Sequence, residues 1–239
     1  MKLSIITYNL HFSKAMGQIE DIISTHKPDI LCLQEMETSE ENLHTLTQYG
    51  YNLADYSNSF IHFGQIYGLA TFYRADIFTF IESDAFNLPR GMYEMLQFLL
   101  NGRQQPRTVL RTDLRIKNTH TTLTVYNLHL SPWATNSIRD KQLRKMFADV
   151  ELFSKKNLIV VGDFNYPYGR KKFEAFIREF NLTEATNNLF YTLEQGFLKW
   201  FSVKLKLDYV LYRHITHIET TRLPLRLSDH FPICVTFEL

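Results

Sequence analysis

Acidic, amide and imidazole side chains recur in this 239-residue chain where apolar runs stop. LCLQE ends on Glu35, NLHL carries His129, VVGDFN carries Asp163 and Asn165, LDYVLY opens on Asp208, and SDHFP carries Asp229 and His230. Asn9 closes another such run, LSIITYN. In a layered α/β fold, strand ends are where loops converge over a rigid scaffold, so polar residues placed there repeatedly point to one site. Carboxylates and carboxamides are hard oxygen ligands that suit Mg²⁺ or Mn²⁺, and Glu35 and Asp229 are suitable carboxylates. The chain has no Cys-x-x-Cys, no His-Glu-x-x-His and no Gly-rich Walker loop, so zinc and P-loop chemistry lose support. A phosphodiester resists hydrolysis because its anionic oxygens repel a nucleophile and its alkoxide leaves poorly. Cleavage needs charge neutralisation and an oriented water, and a cation with carboxylates and imidazoles supplies both.

The elements that must position these residues follow from periodicity. Short β-branched runs at 3–8, 29–34, 68–73, 77–82, 109–116, 122–130, 157–162, 207–212 and 233–239 predict strands. Helical spacing predicts helices over 14–24, 39–47, 92–100, 136–154 and 171–180. In the longest, Ile138, Leu143, Met146, Phe147, Val150 and Phe153 mark a packed stripe, and Arg139, Lys141, Arg144 and Lys145 are read as a solvated face. Strands alternate with helices early and pair as hairpins later, which predicts an α/β fold: a four-layer α/β/β/α sandwich of two facing mixed sheets with helices outside. No linker, repeat or low-complexity tract interrupts residues 1–239, so one domain is expected.

The segments TYNLH, KPDILCLQE, TVYNLHL, VVGDFN, LDYVLY and SDHFP occur in the order and approximate spacing of the endonuclease/exonuclease/phosphatase superfamily, which includes deoxyribonuclease I and apurinic endonucleases. Any one is a weak signal; the six in order, spanning residues 7–232, resemble that family strongly. The resemblance implies that Glu35 binds the metal, that Asn9 helps hold metal or phosphate, and that Asp229 lies beside the metal. It further implies that Asp163 orients or deprotonates the attacking water and that Asn165 positions that water or a phosphate oxygen. His129 would donate to the phosphate, and His230, oriented by Asp208, would contact the scissile phosphate. A carboxylate against a buried imidazole independently fixes its tautomer and favours a cationic donor. Two positions depart from the pattern. His11 stands where the apurinic endonuclease branch has an aspartate, and Leu69 in GLATFY stands where many relatives have an asparagine or another small residue.

Residues 83–107, with Arg90, Arg103 and Arg107 around an apolar helix, form the longest stretch outside the strand pattern, and Arg107 is a candidate phosphate contact. Trp133 and Trp200 are candidates for the cleft lining, and Trp133 is taken as substrate-binding. Tyr126 is three residues from His129, so pleating turns it to the other face, into the core. The stretch 196–208 interleaves Phe197, Trp200 and Phe201 with Lys199, Lys204 and Lys206, open to base stacking, lipid contact or hairpin packing.

Composition sets the outer bounds. Twenty-six basic against twenty-five acidic residues give a formal charge of +1, which argues against tight non-specific duplex binding. Cys32 and Cys234 sit in apolar runs and read as core hydrophobes, which fits a reducing cytoplasm. No stretch approaches the ~18 apolar residues of a membrane span, so a soluble monomer is expected. The resulting expectation is a Mg²⁺-dependent phosphodiesterase acting on nucleic acid by in-line attack of water. A phospholipid or sphingolipid headgroup is the alternative substrate, and a non-catalytic binding module the alternative class.

Overall fold

The computed structural model describes residues 1–62, 64–92, 95, 107–153, 156–198 and 201–239. In chain order the elements are β1 (Lys2–Asn9), α1 (Ile19–His26), β2 (Ile30–Glu37), α2 (Glu40–His44), β3 (Tyr51–His62), β4 (Gln65–Arg74) and β5 (Phe78–Asn87). They continue with β6 (Thr108–Ile116), β7 (Thr122–His129), α3 (Asn136–Leu152), β8 (Leu158–Asp163), α4 (Arg170–Glu179) and β9 (Thr183–Glu184). The last are β10 (Leu193–Leu198), β11 (Phe201–Leu205), β12 (Asp208–Arg213), β13 (Thr216–Arg222) and β14 (Ile233–Glu238).

Two six-stranded sheets result, ordered β13-β14-β1-β2-β4-β3 and β5-β6-β7-β8-β12-β9, with β10-β11 as a separate hairpin. Each sheet has one parallel pair at its centre, β1 with β2 and β7 with β8, flanked by antiparallel strands. Alternating side chains of the central strands fill three apolar layers. Ile5, Cys32, Val125, Val161 and Val235 meet between the sheets. Ile6, Leu31 and Leu33 face Ile19, Ile22 and Leu43 on one outside. Tyr126, Leu128 and Val160 face Leu143, Phe147 and Phe173 on the other. The expected four-layer sandwich is the observed fold, and Tyr126 packs in the outer core with its hydroxyl donating to Asp149 Oδ2 at 2.6 Å.

Three differences from the sequence reading share a cause. β3 and β13 were not anticipated, and β5 runs on through Asn87 instead of stopping at residue 82. All three are edge strands, β5 and β13 largely exposed and β3 mostly half-buried, so their sequences carry Ser, Asn, Asp and Glu instead of an apolar alternation. The helix expected over 14–24 forms as a 3₁₀ turn at Met16–Gln18 followed by α1, and that expected over 39–47 is the short α2, capped by Ser39 Oγ. The helix expected over 92–100 falls largely outside the described residues, as do Arg103, Lys199 and Trp200. The reading of Arg139 as part of a solvated face is wrong: it is 2% exposed. It stands four residues before Leu143 and seven before Met146, on the buried stripe of α3.

Glu184 on β9 closes the edge of the second sheet, with Arg170 Nη2 at 2.6 Å from Oε2 and Lys206 Nζ at 2.6 Å from Oε1. Burial raises its pKa, but the hydrogen bonds from Arg170 and Lys206 outweigh burial and hold it below the ordinary 4.5. A depressed folded-state pKa stabilises the fold above the unfolded value, and that stability is lost as pH falls through the folded one. Glu184→Gln is therefore expected to cost about 2–3 kcal/mol at pH 7. Urea midpoints of the two proteins should converge as the pH is lowered from 4.5 towards 3.

Candidate active site

Strand direction gathers the polar residues at one end of the sandwich. Asn9, Glu35, His129 and Asp163 lie at or near the C-terminal ends of the parallel strands β1, β2, β7 and β8, while Asp208 opens β12, which runs antiparallel to β8. Register pairs His129 with Asp163 and Asp163 with Asp208 across three adjacent strands. This close approach requires Gly162. Its φ is +134°, and a Cβ there would lie 1.9 Å from the Leu128 carbonyl oxygen, so any side chain would force β8 away from β7.

Asp163, 2% exposed, is the centre of the cluster. Its Oδ2 accepts from Asn9 Nδ2 at 3.1 Å and its Oδ1 from the Asn165 backbone N–H at 2.8 Å. Asn165 adopts φ +47°, which Asn tolerates, and its Nδ2 donates to Leu130 O at 3.1 Å. His129 Nε2 lies 3.5 Å from Asp163 Oδ2 and 3.8 Å from Glu35 Oε1, while His230 Nε2 approaches the same Asp163 oxygen at 3.7 Å.

The two imidazoles differ in charge. His129 is fully buried, and burial first, then the charges of Arg107 and His230, hold its pKa well below the ordinary 6.5. Arg107 Nη1 lies 3.3 Å from His129 Nδ1. An arginine can only donate, so Nδ1 accepts and the neutral ring carries its proton on Nε2, towards Asp163. Burial also disfavours charge on His230, but the carboxylates of Asp208 and Asp163 and the hydrogen bond to Asp208 push its pKa up to about 10. Asp208 Oδ2 takes His230 Nδ1 at 2.7 Å and the Thr192 hydroxyl at 2.6 Å. Burial, partly offset by His230 and reinforced by Asp208 and Glu35, raises the pKa of Asp163.

The opposite wall is a turn of unusual backbone. His11, Phe12 and Ser13 all have positive φ (48°, 55° and 60°), as does Glu35 (53°), which sits at an irregularity in the β2–β4 pairing. Left-handed non-glycine residues are costly, and their concentration is a mark of a functional constraint. The turn ties the remaining candidates together. Phe12 N–H donates to Glu35 Oε2 at 3.1 Å, His11 N–H to Asn9 Oδ1 at 3.0 Å, and His11 Nδ1 meets Asp229 Oδ1 at 2.6 Å. Lys14 Nζ sits 2.9 Å from His11 Nε2. A lysine ammonium donates, so Nε2 accepts and Nδ1–H points at Asp229. Burial would raise the pKa of Asp229, but His11 and His230 together hold it low. Thus His11, which replaces the aspartate of the apurinic endonuclease branch, sits against Asp229.

Hard oxygen donors dominate, with the carboxylates of Glu35, Asp163 and Asp208 gathered about the two imidazoles and Asp229 on the facing turn. A divalent cation fits that chemistry. Asp163, Asp208 and His230 present ligand atoms within 4.8 Å of one another. Asp208 already holds the imidazole and Thr192, so Glu35 and Asp229, with side chains 15% and 20% exposed, are the more available carboxylates.

Arg107 stacks over the Phe60 ring, 4.8 Å from its centroid. Trp133 does not join the carboxylate cluster; it is 69% exposed and lines a neighbouring cavity. Leu69 is fully buried and pairs with Ser57 on β3, whose hydroxyl, like that of Ser59, meets Thr108 Oγ1. Sequence reasoning missed the residues under the site. Gln34 Nε2 donates to Asn127 Oδ1 at 2.8 Å and Thr7 Oγ1 at 3.0 Å, while Asn127 Nδ2 reaches Leu33 O at 3.2 Å and Ala70 O at 3.0 Å. This fully buried bridge spans the two sheets one residue before Glu35 and two before His129, so it sets one half of the site against the other. Asn127→Ala leaves several buried partners unsatisfied and is expected to cost about 2–4 kcal/mol in urea unfolding. Thr192 was also missed. It is held by pairing of residues 192–194 with the Asp229–Phe231 segment, and a lone threonine gives no signal in sequence.

A two-sheet sandwich with Asn, Glu, His and Asp at its parallel-strand ends and an Asp–His pair beside them suits a metal-assisted phosphoester hydrolase. The chain belongs to the endonuclease/exonuclease/phosphatase family, whose model matches residues 6–230. Members of that family are divalent-metal-dependent phosphodiesterases and phosphatases. No curated protein matches the chain in sequence. Among solved structures it is similar to the human Nocturnin catalytic domain (TM-score 0.77, 18% identity, 99% of this chain and 94% of that one covered). It is also similar to D. rerio TDP2 complexed with single strand DNA product (0.72, 17%, 100% and 99%). A third is a Bacteroides thetaiotaomicron mannosyl-6-phosphatase (0.74, 19%, 99% and 100%). At these identities the likeness concerns the fold.

Proposed function

We propose that this chain is a Mg²⁺- or Mn²⁺-dependent phosphodiesterase that cuts nucleic acid by in-line attack of water, and that residues 1–239 act as one catalytic domain. The observation that carries the reading is the convergence of a neutral and a cationic imidazole on one carboxylate, at 3.5 Å and 3.7 Å from Asp163 Oδ2. Glu35 and Asp229, with Asn9 alongside, would hold the cation, which would supply neutralisation of phosphate charge. Asp163, fixed by Asn9 and Asn165, orients the water and accepts its proton. His129 donates through Nε2–H to a phosphate oxygen, and Arg107 fixes its tautomer. His230, kept cationic by Asp208, donates to the oxygens as charge builds on them.

The donor set weighs against a binding module without turnover, and the likeness to TDP2, seen in complex with single strand DNA product, supports a nucleic-acid strand as substrate. No helix among the described residues is long and apolar enough to cross a membrane, and Cys32 and Cys234 are free thiols, which supports a reducing compartment. A monomer completes the proposal. The test is a parallel screen with Mg²⁺ of single-stranded, duplex and abasic DNA, RNA, a sugar phosphate monoester, and phosphatidylcholine and sphingomyelin vesicles. Release of nucleotides or shortened strands is expected. Turnover of the vesicles or the monoester with intact strands overturns the nucleic-acid reading.

A further inference from the structure

The loops that leave β7 and β8 carry more than His129 and Asn165. Between them lies an open cavity of about 490 Å³, lined by Pro132, Trp133, Thr135, Arg139, Pro167 and Tyr168. That volume is in the range of small-ligand sites. Two of its walls are large aromatic side chains held in water, Trp133 at 69% and Tyr168 at 60% exposure. Trp133 follows His129 by four residues, and Tyr168 follows Asn165 by three. The loops are joined directly beside the site, since Asn165 Nδ2 donates to Leu130 O at 3.1 Å and Leu130 N to Asp163 O at 2.8 Å.

The frame of the cavity is built by a buried arginine. Arg139, 2% exposed, donates through Nε to Ser131 O at 3.1 Å, through Nη2 to Pro132 O at 2.7 Å and through Nη1 to Asn136 Oδ1 at 2.8 Å. Asn136 Nδ2 in turn donates to Tyr168 O at 2.5 Å, so one hydrogen-bonded chain sets the backbone on both sides of the cavity. Gln142 holds Ser131 from the same helix, with its Oε1 taking the Ser131 N–H at 3.2 Å. Burying a guanidinium is costly, and here it fixes two solvent-facing loops instead of a core contact. Aromatic rings displayed on a preorganised frame suit a planar partner, because stacking needs position and loses little rotamer freedom. The enclosed positive charge suits an electron-rich face and disfavours an acyl chain.

We propose that the Trp133–Tyr168 cavity is a stacking subsite for a nucleobase flanking the cleaved phosphate. It rests on the reading of the substrate as a nucleic-acid strand, and it makes an unstacked, single-stranded end or loop the preferred substrate, because a base inside a duplex cannot present its face to the cavity. Sequence preference is weak, since every base has a stacking face.

The test uses the full-length Asp163→Asn protein, so that binding is read without cleavage, and a fluorescein-labelled single-stranded octanucleotide. Trp133→Ala and Tyr168→Ala, each added to it, are expected to raise Kd by about 5- to 100-fold, while Trp133→Phe and Tyr168→Phe stay within about 3-fold. A matching strand of abasic tetrahydrofuran units should bind weakly to the parent and be indifferent to Trp133→Ala. Equal losses on the ordinary and abasic strands, or no loss on either, overturn the subsite. Loss of binding to phosphatidylcholine vesicles with strand binding unchanged also overturns it and assigns the two rings to a lipid surface. Cleavage of the octanucleotide by the unsubstituted protein is read separately: absent cleavage with base-dependent binding removes the nuclease reading and leaves the subsite standing.

Discussion

Asp163→Asn is expected to lower kcat for phosphodiester cleavage by about 10³–10⁴-fold while leaving the Kd for a single-stranded oligonucleotide nearly unchanged. The substitution keeps the shape and one of the two hydrogen bonds that Asp163 accepts from Asn9 and the Asn165 N–H, because the amide has a single acceptor oxygen. It removes the acceptor for the water's proton and the negative charge faced by both imidazoles. A circular-dichroism spectrum and urea midpoint close to the parent's would separate this from misfolding. Steady-state kinetics at saturating Mg²⁺ gives the kcat. A fall in affinity with kcat retained would assign Asp163 to binding instead.

Asp208→Asn is expected to cost about 10²–10⁴-fold in kcat, although Asp208 is argued to touch only His230 and its own supports. The carboxylate is a main reason the buried imidazole stays protonated; without it, burial and the loss of an anionic partner both drive the His230 pKa down. The ring then loses the charge that stabilises the phosphate oxygens. Because the two residues act as a unit, adding His230→Ala to Asp208→Asn should lower kcat little further, and a double-mutant cycle reads that directly. Additive losses would mean that Asp208 and His230 work independently. A proton-coupled ¹⁵N spectrum of the His230 ring at neutral pH should show an imidazolium in the parent and a neutral ring in Asp208→Asn.

The parts of the molecule that could be read from residues alone were those where burial dictates composition. β1, β2, β7, β8 and β12 are buried on both faces, so ILCL, LIVV and YVL announce strands, and the polar residue at each end stands out against them. The site residues were legible for the same reason, since Glu35, His129, Asp163 and Asp208 each interrupt such a run. The edge strands β3, β5 and β13 were obscured because one side of an edge meets water. Thr192 and Gln34 act through distances between segments far apart in sequence, which no local pattern encodes. Arg139 was misread for a different reason. Its neighbours Lys141, Arg144 and Lys145 suggested a solvated basic face, yet its spacing to Leu143, Met146 and Val150 already placed it on the inward stripe. Helical position decides burial there more firmly than charge does.

The proposed activity depends on one cation-dependent centre shared by residues from both sheets. Its most direct test is hydrolysis of bis-p-nitrophenyl phosphate by chelator-treated protein titrated with Mg²⁺ or Mn²⁺, run beside Glu35→Gln and Asp163→Asn. The expected result is no turnover without metal, saturable recovery on adding it, a higher metal requirement in Glu35→Gln, and no recovery in Asp163→Asn at any metal concentration. Turnover that survives chelation, or that persists undiminished in both variants, would contradict it.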